Sequence, residues 1–179
     1  TAAHARGADV TLVAAHLEVG APSGVTLVDV GTAAELEVAM LDQARHADTV
    51  VMCAAVADFR PLAVADDKIK KDAVGETLHI ELERTTDVLA ALAAGRSPGQ
   101  RIVGFAAETE PDDERLLTIG AEKARRKGVD LLVVNRVGFT EGFASVTNSV
   151  VMLAGDGTVI GRAEGDKLSV AHRILDLLV

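Results

Sequence analysis

The sequence predicts an α/β protein: a three-layer, Rossmann-like, mostly parallel sheet followed by a late β-hairpin. Short β-branched runs, typical of buried strands, alternate with segments of helical period, and this alternation favours parallel strands joined by right-handed crossovers. Near the end of the chain two apolar runs enclose Gly155-Asp156-Gly157. Glycines at such a turn predict a hairpin at this point rather than another crossover.

The elements are predicted from apolar period and capping residues. Strands are expected at residues 10–14, 25–30, 49–54, 78–82, 102–105 and 131–135, with hairpin strands at 149–153 and 158–161. Helices are expected to end at Gly7, to run from a capping box at Thr32 and Glu35 to about Ala47, to lie between Asp87 and Gly95, and to cover 112–127 and 167–179.

Three finer expectations concern burial. The strand at 49–54 is the most apolar and is therefore expected at the centre of the sheet. Residues 58–75 show no clear period, and a loop of that length is commonly a lid or a binding loop. The inward faces of the last two helices are predicted as Leu117, Ala121 and Ala124, and as Leu168, Ala171, Leu175 and Leu178.

The start of the chain resembles the last turn of a helix that stops at Gly7. A helix that begins at its own C-terminal end indicates residues before Thr1, so the first strand of the fold is expected to be missing here. Since no linker or internal repeat is visible, residues 1–179 are expected to form one domain, truncated or incomplete at its N-terminus.

Composition excludes several functional classes. Lys and Arg total 18 against 27 Asp and Glu, a net charge of −9, and no Trp or Tyr is present, so the basic, aromatic surface of a nucleic-acid binder is lacking. No apolar run approaches the ~18 residues of a membrane span. The single Cys53 excludes an internal disulfide framework and a cysteine-based zinc site. We expect a cytoplasmic protein without nucleic-acid or membrane partners.

Candidate binding residues follow the predicted strands, where open parallel sheets bind ligands. Small side chains after residue 52 lead to the carboxylate of Asp58. The adjoining loop carries Lys68, Lys70 and Lys71, which suit a phosphate, although a solvated surface run has the same pattern.

The helices offer further candidates with equally ordinary explanations. Lys123 and Lys127 lie on one helix face, where they can bind an anion or interact with the helix dipole. The segment 85–88 opens a helix that can bind an anion or simply be capped by Asp87. Phe105 can flank a planar ring at the end of its strand, although its strand pattern favours a core position. Since neither G-x-G-x-x-G nor a P-loop is present, these patterns support only a phosphate-bearing ligand at a strand-end crevice.

Five segments in order carry recognisable motifs, at residues 6–12, 54–61, 68–71, 104–109 and 127–135. Together they resemble bacterial phosphopantothenoylcysteine synthetases. The resemblance implies a ligase of coenzyme A biosynthesis that uses CTP and Mg²⁺ to join 4′-phosphopantothenate to L-cysteine. In such enzymes the substrate carboxylate attacks the α-phosphate of CTP, and the cysteine amine then displaces CMP from the acyl-cytidylate.

The resemblance also implies residue roles. The implied catalytic residues are Lys68, Ala54 and Ala55: Lys68 would be the catalytic loop lysine, Ala54 would lie along the nucleotide, and Ala55 would lie beside the acyl-cytidylate. The implied nucleotide-binding residues are Met52, Cys53, Ala54, Asp58, Lys68, Thr86, Asp87, Val88, Leu89, Phe105, Lys123 and Lys127. Thr86 stands where many relatives carry Pro, and the metal ligands are not implied.

The resemblance further implies a homodimer, with the hairpin at 149–161 as a pairing element, and a linked flavin-dependent decarboxylase domain in many bacteria.

Two other functions stay open on the sequence. A Rossmann-type oxidoreductase would bind a nicotinamide cofactor instead of CTP. A non-catalytic nucleotide-binding module would bind CTP without releasing pyrophosphate.

Overall fold

The computed structural model describes residues 1–70, 75–137 and 147–178. In chain order, helices α1–α5 span Ala2–Ala5, Ala33–Ala44, Val88–Ala94, Asp113–Lys127 and Lys167–Asp176. Strands β1–β9 span Thr11–Ala15, Thr26–Val30, Thr49–Met52, Phe59–Pro61, Leu82–Arg84, Arg101–Glu108, Leu131–Arg136, Thr147–Ala154 and Val159–Asp166.

The main sheet has five strands in the order β3-β6-β7-β8-β9. β3, β6 and β7 run parallel, and β8 and β9 add an antiparallel hairpin. β1 and β2 form a separate parallel pair, and β4 and β5 a separate antiparallel pair. The predicted fold class, a mostly parallel sheet with a late hairpin, is confirmed.

Helices cover both faces of the main sheet. Successive residues of the central strand β7 point to opposite faces. Leu132 and Val134 join the core beneath α2, α3 and α4, whereas Leu131 and Val133 join the core beneath α5. Because both faces are covered, β7 is apolar without alternation, and the predicted three layers are present.

Local capping signals predicted most helix ends. The Thr32 hydroxyl accepts the Glu35 N–H at 3.2 Å, and the Glu35 carboxylate accepts the Thr32 N–H at 3.1 Å, which completes the capping box of α2. Gly128 ends α4 in the left-handed region with a φ of 67°, a conformation that favours glycine.

The predicted central position of the 49–54 strand is wrong. β3 lies at one edge of the main sheet and, among the described strands, pairs only with β6. Val51 is 42% exposed, and the apolar pattern reflects burial of Val50 and Met52 in the core with α2 and α3. A strand can be strongly apolar because one helix layer covers it, without being central.

The prediction for residues 58–82 is also wrong in part. Phe59–Pro61 forms β4 inside a segment expected to be loop, and its partner β5 starts at Leu82, the last residue of the expected 78–82 strand. A three-residue strand is too short to show a period in the sequence, so only its pairing with another strand identifies it. The Leu62 N–H donates to the Glu81 carbonyl at 3.0 Å, which continues the pairing beyond β4.

The predicted inward faces of two helices need correction. α4 buries Leu116, Gly120 and Ala124, and the predicted Leu117 and Ala121 are only half-buried. The helix turns this way because it approaches β8 closely at Gly120, where a Cβ would lie 2.6 Å from Leu153 Cδ1.

α5 ends at Asp176, and its buried residues are Val170 and Ile174. The predicted Leu168 is 47% exposed, whereas Ala171, Leu175 and Leu178 are half-buried. The Arg6 guanidinium bonds the His172 carbonyl at 2.9 Å and Asp176 at 2.5 Å. The sequence of α5 allows several apolar faces, and the packing of α5 against α1 and the hairpin determines which one is buried.

Within the described ranges, no helix combines the length and apolarity that a bilayer crossing requires.

Candidate functional site

Thr85 joins two of the predicted binding segments. Its backbone N–H donates to the Asp58 carbonyl at 3.0 Å, and its hydroxyl donates to the Ala57 carbonyl at 2.5 Å. The chain that leaves β3 is thereby held against the chain that enters α3. Asp58 and residues 86–89 consequently lie side by side at the carboxyl end of β3.

The start of α3 is organised by Asp87, which is its N-cap. The Asp87 carboxylate accepts the Ala90 N–H at 3.1 Å. Val88 and Leu89 are buried in the core, so their side chains anchor the helix, whereas Thr86 is exposed. At 86–89 the exposed groups are therefore Thr86 and Asp87.

Lys127 of α4 donates from Nζ to the Asp87 carboxylate. Burial raises the pKa of Asp87, but hydrogen bonds from Lys127 and the Ala90 N–H, with the charges of Lys127 and Arg126, outweigh it and hold that pKa below its ordinary value. Asp87 is therefore ionised at neutral pH and paired with a lysine that is 21% exposed.

Lys123, one turn earlier on α4, donates from Nζ to the carboxylate of Glu108, the last residue of β6. The lysine is 26% exposed and the glutamate 17%. Glu108 is not among the site residues predicted from the sequence. Its signal was available, because Glu108 shares a strand face with Gly104 and Ala106, which face the helix layer containing α4.

The end of β3 combines anchored and exposed residues. Met52 is buried in the core, whereas Ala54 and Ala55 are exposed. Desolvation by surrounding atoms raises the pKa of the Cys53 thiol, so Cys53 is a neutral thiol at neutral pH. Small side chains at 54 and 55 leave the backbone open to a ligand.

The structure does not bring every predicted site residue to this edge. Lys68 is exposed on the segment after β4, and no described residue contacts its ammonium by a hydrogen bond or ion pair. Lys71 lies outside the described residues. Phe105 is half-buried and packs in the core beneath α5, on the opposite face of the sheet from Lys123 and Lys127. The roles of Lys68 and Phe105 stay predictions.

A cavity of about 90 Å³ adjoins the exposed side of Thr86. Its lining comes from the first turns of α2, from the β4–β5 pair and from the two residues after β5: Ala33, Ala34, Glu37, Arg60, Arg84, Thr85 and Thr86. Arg60 is paired with Glu83 at 2.7 Å, and Arg84 lies 6.0 Å above the Phe59 ring. The cavity extends the site from the end of β3 towards α2.

The carboxylates at this edge do not form a metal cage. Over residues 1–70, 75–137 and 147–178, no group of three or more His, Cys, Asp or Glu side chains is arranged to hold a metal ion. Asp87 and Glu108 instead each hold a lysine.

Comparison with known proteins is consistent with this geometry. The family described as the DNA/pantothenate metabolism flavoprotein C-terminal domain matches residues 1–179. The coenzyme A biosynthesis bifunctional protein CoaBC of Mycobacterium tuberculosis is 47% identical over 180 residues, which cover 97% of this chain and 43% of that protein. The chain thus spans less than half the length of the curated relatives it matches.

Solved structures agree with the sequence match. The crystal structure of the C-terminal domain of a CoaBC protein has a TM-score of 0.73 at 33% identity and covers 98% of this chain and 77% of that one. A Cab2 mutant in complex with phosphopantothenate-cysteine shares the fold, with a TM-score of 0.64 at 17% identity over 87% of this chain and 52% of that one. The resemblance carried by the motifs is confirmed: the chain belongs to the family of DNA/pantothenate metabolism flavoprotein C-terminal domains.

Proposed function

We propose that residues 1–179 form one synthetase domain that joins 4′-phosphopantothenate to L-cysteine at the expense of CTP, in coenzyme A biosynthesis. The curated relatives are named for coenzyme A biosynthesis, and the Cab2 structure holds phosphopantothenate-cysteine. The relatives are also named as bifunctional, which suits a linked second domain such as a flavin-dependent decarboxylase.

One observation carries the proposal: two lysines converge with the ends of β3 and β6 and with the start of α3 at one edge of the sheet. Asp58 is joined to α3 through Thr85, α3 to α4 through the Asp87–Lys127 pair, and α4 to β6 through Lys123. In a chain with a net charge of −9, the edge where parallel sheets bind ligands carries two lysine ammonium groups, each held by a carboxylate. A triphosphate needs such a group of point charges.

The proposed chemistry has two steps. The phosphopantothenate carboxylate attacks the α-phosphorus of CTP, forming an acyl-cytidylate while the bond to pyrophosphate breaks. The cysteine nitrogen then attacks the acyl carbon, a C–N bond forms, the bond to CMP breaks, and the amine loses a proton. Lys123 and Lys127 would hold the phosphates, and Lys68 would neutralise the charge that develops during transfer.

Magnesium fits this site only as part of the nucleotide complex. Mg²⁺ keeps several waters and is commonly held by substrate phosphates with one or two carboxylates. Asp87 and Glu108 are engaged with lysines, whereas Asp58 is exposed and has no lysine partner among the described residues, so Asp58 is the carboxylate that would face the ion. In this proposal the protein residues orient the nucleotide, and Mg²⁺ binds as part of the nucleotide complex.

The proposal is tested by pyrophosphate release. We expect release with CTP in the presence of phosphopantothenate, and slower release with ATP. Lys68→Gln should lower the single-turnover rate of acyl-cytidylate formation by about a hundredfold, since electrostatic stabilisation of a transition state is worth roughly that much. Lys70→Gln, on the same exposed segment, is the matched control and should change the rate less than about threefold.

Three results would contradict the proposal. Equal rates for Lys68→Gln and the wild type would remove the role of Lys68. Thermal stabilisation by NAD⁺ but not by CTP would instead support an oxidoreductase, and CTP binding without pyrophosphate release would support a non-catalytic nucleotide-binding module.

We also propose that the chain forms a homodimer through the β4–β5 pair. In this pair Phe59 faces Arg84 and Pro61 faces Leu82, so one surface is largely apolar, and Ile80 continues it. Phe59 is 50% exposed, Leu82 57% and Ile80 61%. A contiguous exposed apolar face of this kind is typical of a protein–protein contact. This contact differs from the predicted pairing through the 149–161 hairpin, and an experiment below separates the two.

A further inference from the structure

We propose that Glu108 is a positioning residue for Lys123. It holds the lysine ammonium at the carboxyl edge of β6, where the lysine meets the nucleotide phosphates; this role rests on the function proposed above. Glu108 itself touches no reacting atom in this proposal. It acts through the bond from Lys123 Nζ to its carboxylate.

Glu108 provides a rigid reference point. It is the last residue of β6, an interior strand between β3 and β7, and its backbone is paired with Arg136 of β7. The Glu108 carbonyl also accepts the Val137 N–H at 2.9 Å. A carboxylate fixed to this ladder moves less than one on a loop, which is what a positioning group requires.

The Glu108 carboxylate has one described partner, Lys123. Asp87 differs, because it both caps α3 and holds Lys127. A carboxylate that is only 17% exposed carries a desolvation cost, and no helix or turn among the described residues uses it as a cap. Among the described residues, its contribution is therefore made through Lys123.

Lys123 needs such a partner because of where it lies. It is one helical turn, ~6 Å along the axis, from Lys127, so the two ammonium groups repel each other. A free lysine here would extend its charged end into solvent, away from its neighbour and from the site. Glu108 counters that repulsion and accepts one of the three ammonium N–H groups, which leaves two to donate to phosphate oxygens.

The experiment is a double-mutant cycle on Mg·CTP binding, measured by calorimetry. Glu108→Ala and Lys123→Ala should each raise the Kd about tenfold, as expected for loss of one charge-assisted hydrogen bond. The double variant should bind no more weakly than Lys123→Ala, because Glu108 acts only through that lysine. Glu108→Gln, whose amide oxygen still accepts from Nζ, should remain within about threefold of the wild type.

A steady-state assay separates positioning from a structural role. Glu108→Ala should raise the KM for CTP about tenfold while changing kcat less than about twofold, because the lost contact is made equally in ground and transition states. Glu122→Ala, which removes an exposed carboxylate from α4 beside Lys123, is the matched control and should leave both constants unchanged.

Each outcome of these measurements either supports or overturns the positioning role of Glu108. Non-additive losses with rescue by Glu108→Gln support the proposal. Wild-type binding by Glu108→Ala, or losses that add in the double variant, overturn it while the proposed function stands. A wild-type protein that binds no CTP overturns the proposed function itself, and this inference with it.

Discussion

At the scale of single residues, Asp87 shows how one carboxylate can serve fold and site together. It accepts the Ala90 N–H as the N-cap of α3 and accepts Lys127 Nζ from α4. These two bonds fix the segment that the Thr85 contacts hold against Asp58. A change that separates the cap from the ion pair therefore measures what the lysine contributes.

Asp87→Asn makes that separation, because Asn is an equally good N-cap but carries no charge. We expect a loss of less than about 1 kcal/mol at neutral pH, the usual value of a partly exposed ion pair. The pKa of Asp87 is lowered in the folded state, so this stability is present above its ordinary value of 3.8 and is lost as the pH falls through the folded-state pKa.

The measurement is urea unfolding of both proteins between about pH 7 and about pH 3. The two stability curves should run parallel at neutral pH and converge below the ordinary carboxyl pKa. A gap that stays constant to the acid end would show that the carboxylate's ionisation contributes nothing. Asp113→Asn, which also removes an ion-paired carboxylate but lies in the first turn of α4 and outside the proposed site, is a control for general charge effects.

At the scale of elements, the β8–β9 turn is packed against α4 and the loop after it. The Arg125 guanidinium bonds the Asp156 carbonyl at 2.7 Å. A Cβ added to Gly155 would overlap the carbonyl oxygen of Val129, a backbone atom that cannot turn aside. The hairpin thus fixes the end of the helix that carries Lys123 and Lys127.

Gly155→Ala should therefore lower the free energy of unfolding by about 2 kcal/mol, the usual range for overpacking a well-packed site. Gly20→Ala is the matched control, since no atom lies within 4 Å of the Cβ it would add, and it should change stability by less than about 0.5 kcal/mol. Equal stabilities for the two variants, measured by urea unfolding, would contradict the close contact at Gly155.

The same elements show what could be predicted from the sequence. Caps and turns depend on neighbouring residues, so the Thr32–Glu35 box, the stop at Gly128 and the hairpin were predicted correctly. The edge position of β3 and the buried face of α5 depend on distant partners, which period alone does not reveal.

In the candidate site, too, some features could be predicted from the sequence and others required the tertiary structure. Helical spacing predicted that Lys123 and Lys127 share a face, and strand-end logic predicted Asp58. Their carboxylate partners come from other elements, so the pairs of Lys123 with Glu108 and of Lys127 with Asp87 required the tertiary structure. Phe105 differs from these residues, because a motif places it near the site in sequence while strand alternation turns its side chain to the other face, and its role stays a prediction.

At the scale of the whole molecule, the proposed homodimer can be tested by one substitution on each candidate surface. Ile80 is 61% exposed on the apolar face of β4–β5, and Ile160 is 43% exposed on β9, the edge strand within the predicted hairpin contact. Ile80 lies beside the two-stranded β4–β5 pair and Ile160 lies in the antiparallel edge strand of the main sheet, so an aspartate at either position is next to antiparallel backbone. A buried, unpaired charge at a dimer contact is costly, whereas the same charge on a free surface is tolerated.

Sedimentation equilibrium should give the wild type a mass twice that of the chain, and Ile80→Asp should shift it to the monomer while Ile160→Asp remains a dimer. Far-UV circular dichroism should be unchanged in both, which separates dissociation from unfolding. If Ile160→Asp alone dissociates, the late hairpin is the pairing element and the apolar face of β4–β5 needs another explanation. A monomeric wild type at high concentration would contradict both contacts, because a face that buries Phe59 and Leu82 in a stable interface should associate without further partners.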